Sequence, residues 1–261
     1  MTDAVLARRD GAVLFLALAR PEKRNAITSE MIDALSAAVA GASGDGTTVI
    51  VLSGVPGFFS AGADIAGYQR AAEDPDALAD FTSRAKALCV ALTASRAVVI
   101  AAVDGVAMGG GFEIVLSADL VVASDRSKFG LPEISLGLIP GWGGTQRLTR
   151  FLGPNRTKES VLLGIPFGVE QAREWGIVNR IVTPEELDTT VAELASQLAG
   201  RAPRALAAAK AAVTAAYDPD PGAAAGSALE TAHLLDLFAS EDGREGVAAF
   251  IEKRAPHFTG R

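Results

Sequence analysis

The segment "AAVDGVAMGGGFEIVLSADLVVAS" (101–124) combines a strand, a glycine turn, a short helix and a second strand. Its two ends are apolar and rich in β-branched residues, as strands covered on both faces are. Between them Glu113 lies among large apolar side chains, where an uncompensated carboxylate costs several kcal/mol. The segment therefore predicts an α/β fold and raises the question of what Glu113 does there.

The same alternation of strand and helix extends through the first two-thirds of the chain. We predict strands at 12–19, 47–53, 97–103, 119–123 and 177–182, and helices at 29–42, 76–94, 111–118, 143–152, 155–163 and 169–175. Thr28 is a suitable N-cap for the first helix. Strands that alternate with helices indicate mainly parallel pairing.

The composition changes at Thr183-Pro184, which is a typical start of a helix. Beyond it the chain is Ala-rich, and we predict helices at 184–200, 203–216, 222–239 and 242–254. We therefore expect an α/β core with the active site at 1–195 and a C-terminal helical oligomerisation region at 196–261. That region should pack on the core or on a neighbouring subunit.

Charge and residue counts exclude several classes of function. The net charge of −7 argues against a nucleic-acid or anionic-membrane surface. Cys89 is the only cysteine, so neither a disulfide within the chain nor a cysteine zinc cluster can form, which fits the cytoplasm. His233 and His257 lie far along the chain from the glycine-rich segments, which argues against a Ser-His-Asp hydrolase and a His-ligated metal.

Two further absences concern cofactors and membranes. The sequence contains neither a G-x-x-x-x-G-K-[ST] phosphate loop nor a G-x-G-x-x-G dinucleotide fingerprint. No run approaches the ~18 apolar residues that a membrane helix needs. We expect no metal, no separate cofactor and no membrane span.

Three glycine-rich or acidic segments are candidates for chemistry. Gly109-Gly110-Gly111 precedes a predicted helix, where backbone N–H groups are unpaired. "FFSAGADI" (58–65) follows a strand and again exposes backbone, and "FGLPEISLGLIPGWGGTQRL" (129–148) places Glu133 among apolar residues. Taken singly, the glycines also fit a tight turn and each glutamate a structural role. Together, two carboxylates beside two backbone-donor loops indicate acid/base work next to a stabilised anion.

These three segments, in this order and spacing, resemble the crotonase family of enoyl-CoA hydratases and isomerases. "RPEKRNAI" (20–27) and "AFIEKRAPHF" (249–258) extend the resemblance nearly from end to end. The resemblance implies a crotonase-like spiral of strand-strand-helix units with an α-helical C-terminal region. It also implies a homotrimer, commonly paired into a hexamer.

The resemblance further implies residue roles and an activity. The backbone N–H groups of Ala63 and Gly110 would hold the thioester carbonyl oxygen. Glu113 would orient and deprotonate the water that attacks C3, and Glu133 would exchange the proton at C2. The expected activity is hydration of a 2-enoyl-CoA to 3-hydroxyacyl-CoA in fatty-acid β-oxidation or related acyl-CoA catabolism. Coenzyme A is then part of the substrate.

Contacts to the substrate and to CoA also follow from the resemblance. The matching positions are Arg24, Ala26, Ala61, Asp64, Ile65, Gly109, Pro132, Gly141 and Lys253. Many relatives have a lysine where this chain has Ala66, and Lys253 or Arg254 from an adjacent subunit would compensate. Four aromatic residues either narrow the acyl pocket or belong to the core, namely Phe59, Tyr68, Phe112 and Trp142.

Two other functions stay open at this point. Related isomerases usually keep a carboxylate at the position of Glu133 and lack one at Glu113, whereas this chain has both. Enoyl-CoA isomerisation or another acyl-CoA lyase reaction is therefore the alternative to hydration. Some family members bind RNA or act as scaffolds, against which the acidic balance argues.

Overall fold

Two β-sheets form the centre of the fold. The computed structural model describes residues 4–42, 44–55, 57–65, 67, 74–201, 203–216, 235 and 238–256. The larger sheet has the order β1 (Val5–Asp10), β2 (Val13–Leu18), β3 (Val49–Gly54), β5 (Val98–Val103), β7 (Leu120–Ser124) and β10 (Arg180–Val182). The smaller sheet has the order β4 (Phe58–Ser60), β6 (Val106–Met108), β8 (Lys128–Gly130) and β9 (Phe167–Gly168). Pairing is parallel except for β1 with β2 and β8 with β9, which confirms the predicted mainly parallel arrangement.

Each repeating unit adds one strand to each sheet. The chain passes from β3 to β4, from β5 to β6 and from β7 to β8. A helix follows each pair: α2 (Pro75–Ala94), α3 (Gly110–Val115) and α4 (Gly144–Leu163). This is the expected spiral of strand-strand-helix units. The small-sheet strands were not predicted, because two or three residues are too few to show a strand periodicity.

Helices cover both faces of the larger sheet. All six residues of β5 are buried, as a two-sided sheet requires. α1 (Ser29–Gly41) packs with α2 on one face, and its predicted cap is confirmed because the Thr28 side chain accepts from the Met31 N–H. α6 (Pro184–Ala199) covers the other face, while α5 (Val169–Glu174) lies beside β9 and β10. The two helices predicted at 143–152 and 155–163 form α4, which is kinked at Gly153 (φ 73°).

The C-terminal region packs onto the core. α7 (Pro203–Ala216) is held by Lys210, whose Nζ lies 2.7 Å from Asp119 Oδ2 and 3.0 Å from the carbonyl oxygens of Leu92 and Ala97. α8 (Glu241–Glu252) packs on the 3-10 helix Glu133–Leu136. Most of the helix predicted at 222–239, together with His233 and His257, lies outside the described residues. The boundary between 1–195 and 196–261 stays a prediction.

The residues that the structure describes contain neither a membrane-spanning helix nor a metal-binding cluster. None of the helices there combines the length and the apolar character that crossing a membrane requires. Within the same residues, no three His, Cys, Asp or Glu side chains are grouped so that they can hold a metal ion.

Candidate active site

The candidate site lies at one edge of the smaller sheet. β4, β6 and β8 are parallel neighbours, so their carboxyl ends meet at the same edge. The segments that leave this edge are 61–63, 109–110 and 131–133, which are the three segments singled out in the sequence. They touch directly, because the Gly109 N–H donates to the Gly130 carbonyl at 2.9 Å. Gly62 has φ +101°, and a Cβ there would lie 3.0 Å from the Met108 carbonyl oxygen.

A cavity of about 210 Å³ opens at this edge. Its lining consists of Ala61, Gly62, Ala63, Ile65, Gly109, Gly110, Glu113, Pro132, Glu133, Ser135, Leu136, Leu138, Ile139, Gly141, Trp142, Phe238, Val247 and Phe250. Among these described residues, Glu113 and Glu133 are the only charged ones. The fold thus brings the two candidate carboxylates into one otherwise apolar space.

Glu113 is held rigidly in the wall of this cavity. It is 1% exposed, in the first turn of α3. Its Oε1 accepts hydrogen bonds from the N–H of Trp142 (2.8 Å) and the N–H of Gly144 (2.7 Å). Gly144 leaves room for the carboxylate, because a Cβ there would lie 2.9 Å from Glu113 Oε1. Backbone donors therefore compensate the burial of this carboxylate and fix its direction.

Glu133 is placed less tightly. It is the first residue of the 3-10 helix Glu133–Leu136, follows Pro132, and is half-buried. Gly109 lies against it, with φ +50°, and a Cβ on Gly109 would lie 2.9 Å from Glu133 Oε1. The glycine turn after β6 therefore makes room for the second carboxylate as well as exposing backbone.

The backbone N–H groups of Ala63 and Gly110 stay outside the hydrogen bonds that their described neighbours make. The Ile27 N–H donates to the Gly62 carbonyl (2.8 Å), and the Asp64 N–H donates to the Ile27 carbonyl (2.9 Å). Within the described part of the chain, the N–H groups of Ala63 and Gly110 have no acceptor, and both residues line the cavity. Donors left without an acceptor in a partly buried site can serve a ligand oxygen.

The support beneath these two donors was not found from the sequence. Ser60 is fully buried, and its hydroxyl donates to the Asn25 carbonyl (2.8 Å) and accepts from the Gly62 N–H (3.1 Å). A Cβ on Gly111 would lie 2.7 Å from Ser60 Cβ. The loop of Ala63 and the start of α3 therefore meet at Ser60.

Asn25 extends this support. It is fully buried with φ +54°, a conformation that asparagine tolerates better than most residues. Its Nδ2 donates to the Phe58 carbonyl at 2.8 Å. The only sequence signal was its place in "RPEKRNAI", which does not show that the side chain is buried.

The residues expected to contact the substrate or CoA fall into two groups. Five of them line the cavity: Ala61, Ile65, Gly109, Pro132 and Gly141. The other four lie outside its lining: Arg24, Ala26, Asp64 and Lys253. Arg20 binds the Asp64 carboxylate (3.1 Å) and the Ala26 carbonyl (2.6 Å), a contact that the sequence analysis missed.

Two exposed cations and four aromatic residues remain among the residues singled out in the sequence. Arg24 is exposed with its guanidinium 5.5 Å from the Phe58 ring, and Lys253 is exposed at the end of α8. Trp142 lines the cavity, whereas Phe59 and Phe112 are buried in the core. Ala66 and Tyr68 lie outside the described residues.

Comparison with known proteins points to one family. The model of the family described as enoyl-CoA hydratase/isomerase matches residues 8–261. The 2,3-dehydroadipyl-CoA hydratase of Escherichia coli is 38% identical over 263 residues, and the carnitinyl-CoA dehydratase of Salmonella typhi is 38% identical over 265 residues; both alignments cover 100% of each chain. A crystal structure of an enoyl-CoA hydratase from Mycobacterium avium subsp. paratuberculosis matches with a TM-score of 0.88 at 26% identity and covers 98% of each chain.

Proposed function

The chain belongs to the enoyl-CoA hydratase/isomerase family, and on this premise we propose that it is an enoyl-CoA hydratase. As a hydro-lyase it adds water reversibly across C2=C3 of a 2-enoyl-CoA and forms a 3-hydroxyacyl-CoA. The observation that carries the proposal is the single cavity shared by Glu113, Glu133 and the acceptor-free N–H groups of Ala63 and Gly110. Hydration needs two acid/base groups and a site for the negative charge of the thioester oxygen.

The two N–H groups supply that site for charge. Attack of water at C3 moves electrons through C2 to the thioester carbonyl oxygen. We propose that Ala63 and Gly110 donate hydrogen bonds to this oxygen and stabilise the enolate more than the substrate. Removing one donor of this kind typically lowers kcat by about 10²–10³-fold.

The two glutamates divide the proton transfers. Glu113 accepts a proton from water as its oxygen bonds to C3, and Glu133 gives a proton to C2. Glu113 then releases its proton to solvent, and Glu133 takes up a proton from solvent. An ionised carboxylate has about four lone-pair sites, so the two bonds to Glu113 Oε1 leave capacity to hold a water.

The cavity wall favours an apolar acyl group. Among the described residues that line it, no lysine, arginine or histidine is present to pair with a second carboxylate. A dehydroadipyl group would bring its free carboxylate close to Glu113 and Glu133. We therefore propose uncharged 2-enoyl-CoA thioesters as substrates, in fatty-acid β-oxidation or related acyl-CoA catabolism in the cytoplasm.

Binding of CoA is proposed outside the cavity lining. Arg24 and Lys253 are exposed cations, and Arg20 links the backbone of Ala26 to the side chain of Asp64. We propose that this surface binds the nucleotide part of the substrate. No separate cofactor is needed, because CoA arrives as part of the thioester.

We also propose a homotrimer or a hexamer built from two trimers. The exposed fractions of Leu162, Leu163 and Ile165 are 64%, 60% and 63%, and the three residues lie together at the end of α4. Val213 on α7 is 63% exposed. Apolar residues clustered on a surface favour a subunit contact. Sedimentation equilibrium of the full chain tests this, and a monomer at micromolar concentration would contradict it.

The main test is turnover of a panel of acyl-CoA thioesters. With short and medium 2-enoyl-CoA esters, purified protein should remove the ultraviolet absorbance of the conjugated enoyl thioester. Mass spectrometry should show the addition of water. It should act poorly on 2,3-dehydroadipyl-CoA. Conversion of 3-enoyl-CoA to 2-enoyl-CoA without hydration would instead make the protein an isomerase, and retention of RNA without any turnover would indicate the scaffold function.

A further inference from the structure

The loop that holds Glu113 has an anchor of its own. Gly143 lies between the two donors of this loop and has φ +106°, which favours glycine. Arg147, in the first turns of α4, reaches back so that its Nη1 donates to the Trp142 carbonyl at 2.8 Å. A Cβ on Gly143 would lie 2.2 Å from that nitrogen. The guanidinium therefore packs directly on the loop backbone.

This hydrogen bond fixes the peptide that separates the two donors. The Trp142 carbonyl belongs to the peptide between Trp142 and Gly143. The Gly144 N–H belongs to the next peptide, so an uncompensated change in ψ of Trp142 or φ of Gly143 changes its direction relative to the Trp142 N–H. Both N–H groups must point at Glu113 Oε1 for the distances of 2.7 and 2.8 Å to hold. A hydrogen bond that restrains the Trp142 carbonyl therefore also restrains the relative direction of the two N–H groups.

We propose that Arg147 is a positioning residue for Glu113. Its guanidinium holds the Trp142–Gly144 turn in the conformation that aims two N–H groups at the carboxylate. The inference rests on the proposed hydratase function, since it concerns the group that activates water. Arginine suits the task because it stays charged at all relevant pH values and bonds a carbonyl more strongly than a neutral donor does.

The proposal predicts a selective loss of one partial reaction. Replacing Arg147 by methionine keeps an unbranched side chain but removes the guanidinium donor. Misplacement of a catalytic group by about 1 Å can cost about 10²-fold, so Arg147→Met should lower kcat for hydration by roughly 10- to 10²-fold with little change in KM. Exchange of the C2 proton of a saturated acyl-CoA in D₂O depends on Glu133 and should be largely retained.

The experiment compares five variants of the full chain: Arg147→Met, Arg147→Lys, Arg150→Met, Glu113→Gln and the double variant. Arg147→Lys restores a charged donor and should recover part of the lost hydration. Arg150→Met, at an exposed position one turn further along α4, controls for loss of an arginine from this helix and should hydrate normally. The double variant Glu113→Gln/Arg147→Met should hydrate no more slowly than Glu113→Gln, because the two residues act as a unit. Thermal melting accompanies each measurement.

The outcomes separate this inference from the function on which it rests. Normal hydration by Arg147→Met, or equal loss of hydration and C2 exchange in Arg147→Met and Arg147→Lys alike, would overturn the positioning role. Full hydration by Glu113→Gln would overturn the proposed function itself, whatever the arginine variants do. An inactive Glu113→Gln beside a fully active Arg147→Met would overturn only the inference.

Discussion

Glu113 and Glu133 share a cavity but are supported in different ways. Glu113 is 1% exposed and receives two backbone hydrogen bonds on one oxygen. Glu133 is half-buried on a 3-10 helix, with glycine backbone beside it. In the proposed mechanism, Glu113 must aim a water at C3 and therefore needs a fixed direction. A group that exchanges a proton with a substrate carbon needs room for that carbon to approach.

The two supports also come from different parts of the chain. The turn that holds Glu113 lies in the next strand-strand-helix unit, at the start of α4, and is anchored by Arg147. The helix that carries Glu133 is covered by α8, where Gly246 lies so close that a Cβ would be 2.0 Å from the Leu136 carbonyl oxygen. The C-terminal region therefore shapes the side of the cavity that contains Glu133.

The largest effect should come from removing each carboxylate in turn. Glutamine keeps the shape of glutamate but cannot transfer its proton, so Glu113→Gln and Glu133→Gln should each lower kcat for hydration by roughly 10²–10⁴-fold. Glu113→Gln should still exchange the C2 proton of a saturated acyl-CoA in D₂O, whereas Glu133→Gln should lose exchange as well. Stopped-flow hydration and NMR detection of deuterium at C2 measure the two reactions.

The pattern of exchange decides the assignment. Exchange that survives in Glu133→Gln and disappears in Glu113→Gln would reverse the two roles. If either single variant hydrated at the full rate, that glutamate would be structural. Circular dichroism shows whether both variants are folded.

The sequence singled out the two candidate carboxylates because their signals are local. Glu113 and Glu133 lie in short apolar segments next to glycines, and the order of strands and helices places both at strand ends. The supports were not predicted because they join distant parts of the chain. Asn25 bonds to Phe58, Arg20 to Asp64, and Gly246 contacts Leu136. A sequence without its fold does not show that these residues are neighbours.

The next largest effect on hydration should come from two alanine substitutions, one beside each glutamate. In Gly144→Ala the new Cβ would lie 2.9 Å from Glu113 Oε1, and in Gly109→Ala it would lie 2.9 Å from Glu133 Oε1. Each should displace one carboxylate and lower kcat for hydration by about 10- to 10²-fold. Only Gly109→Ala should also lower C2 exchange, and its positive φ adds strain.

Ratios of the two rates provide the measurement. Gly144→Ala should raise the ratio of exchange to hydration, and Gly109→Ala should not. Gly41→Ala is the matched control, because a Cβ at this helical position meets no atom within 4 Å. Equal ratios in both site variants would mean that the two supports are not separate.

A smaller effect is expected from Gly246→Ala. The backbone oxygen of Leu136 cannot yield to a Cβ at 2.0 Å, so α8 must shift outward together with Val247 and Phe250, which line the cavity. We expect KM for short 2-enoyl-CoA esters to rise a few-fold with kcat nearly unchanged, and overpacking to cost about 1–3 kcal/mol of stability. A lower kcat at unchanged KM would mean that α8 positions the catalytic groups and does not only form the wall of the pocket.

The smallest effect on activity should come from a carboxylate outside the cavity. Asp104 accepts hydrogen bonds from the Gly57 N–H (2.7 Å), the Ser124 hydroxyl (2.9 Å) and two nitrogens of Arg126 (2.8 and 2.6 Å). The Arg126 hydrogen bond, followed by those from Gly57 and Ser124, lowers the pKa of Asp104 from 3.8 to about 2, against the opposing effect of burial. Asp104→Asn should leave kcat unchanged and reduce the free energy of unfolding by about 1–3 kcal/mol near neutral pH.

The pH dependence of that difference follows from the direction of the shift. Because the pKa is lower in the folded protein, the ionised form contributes its full stability above the unfolded value of 3.8 and loses it as the pH falls towards about 2. Urea unfolding of wild type and Asp104→Asn should therefore give a constant difference above roughly pH 5 and a shrinking one below it. A constant difference down to pH 3 would show that the ionised carboxylate of Asp104 is not the source of the stability. A loss of hydratase activity at neutral pH would instead contradict a purely structural role. In the second case Asp104 would have to be grouped with Glu113 and Glu133, and a place in the cavity lining would no longer distinguish catalytic from structural carboxylates in this fold.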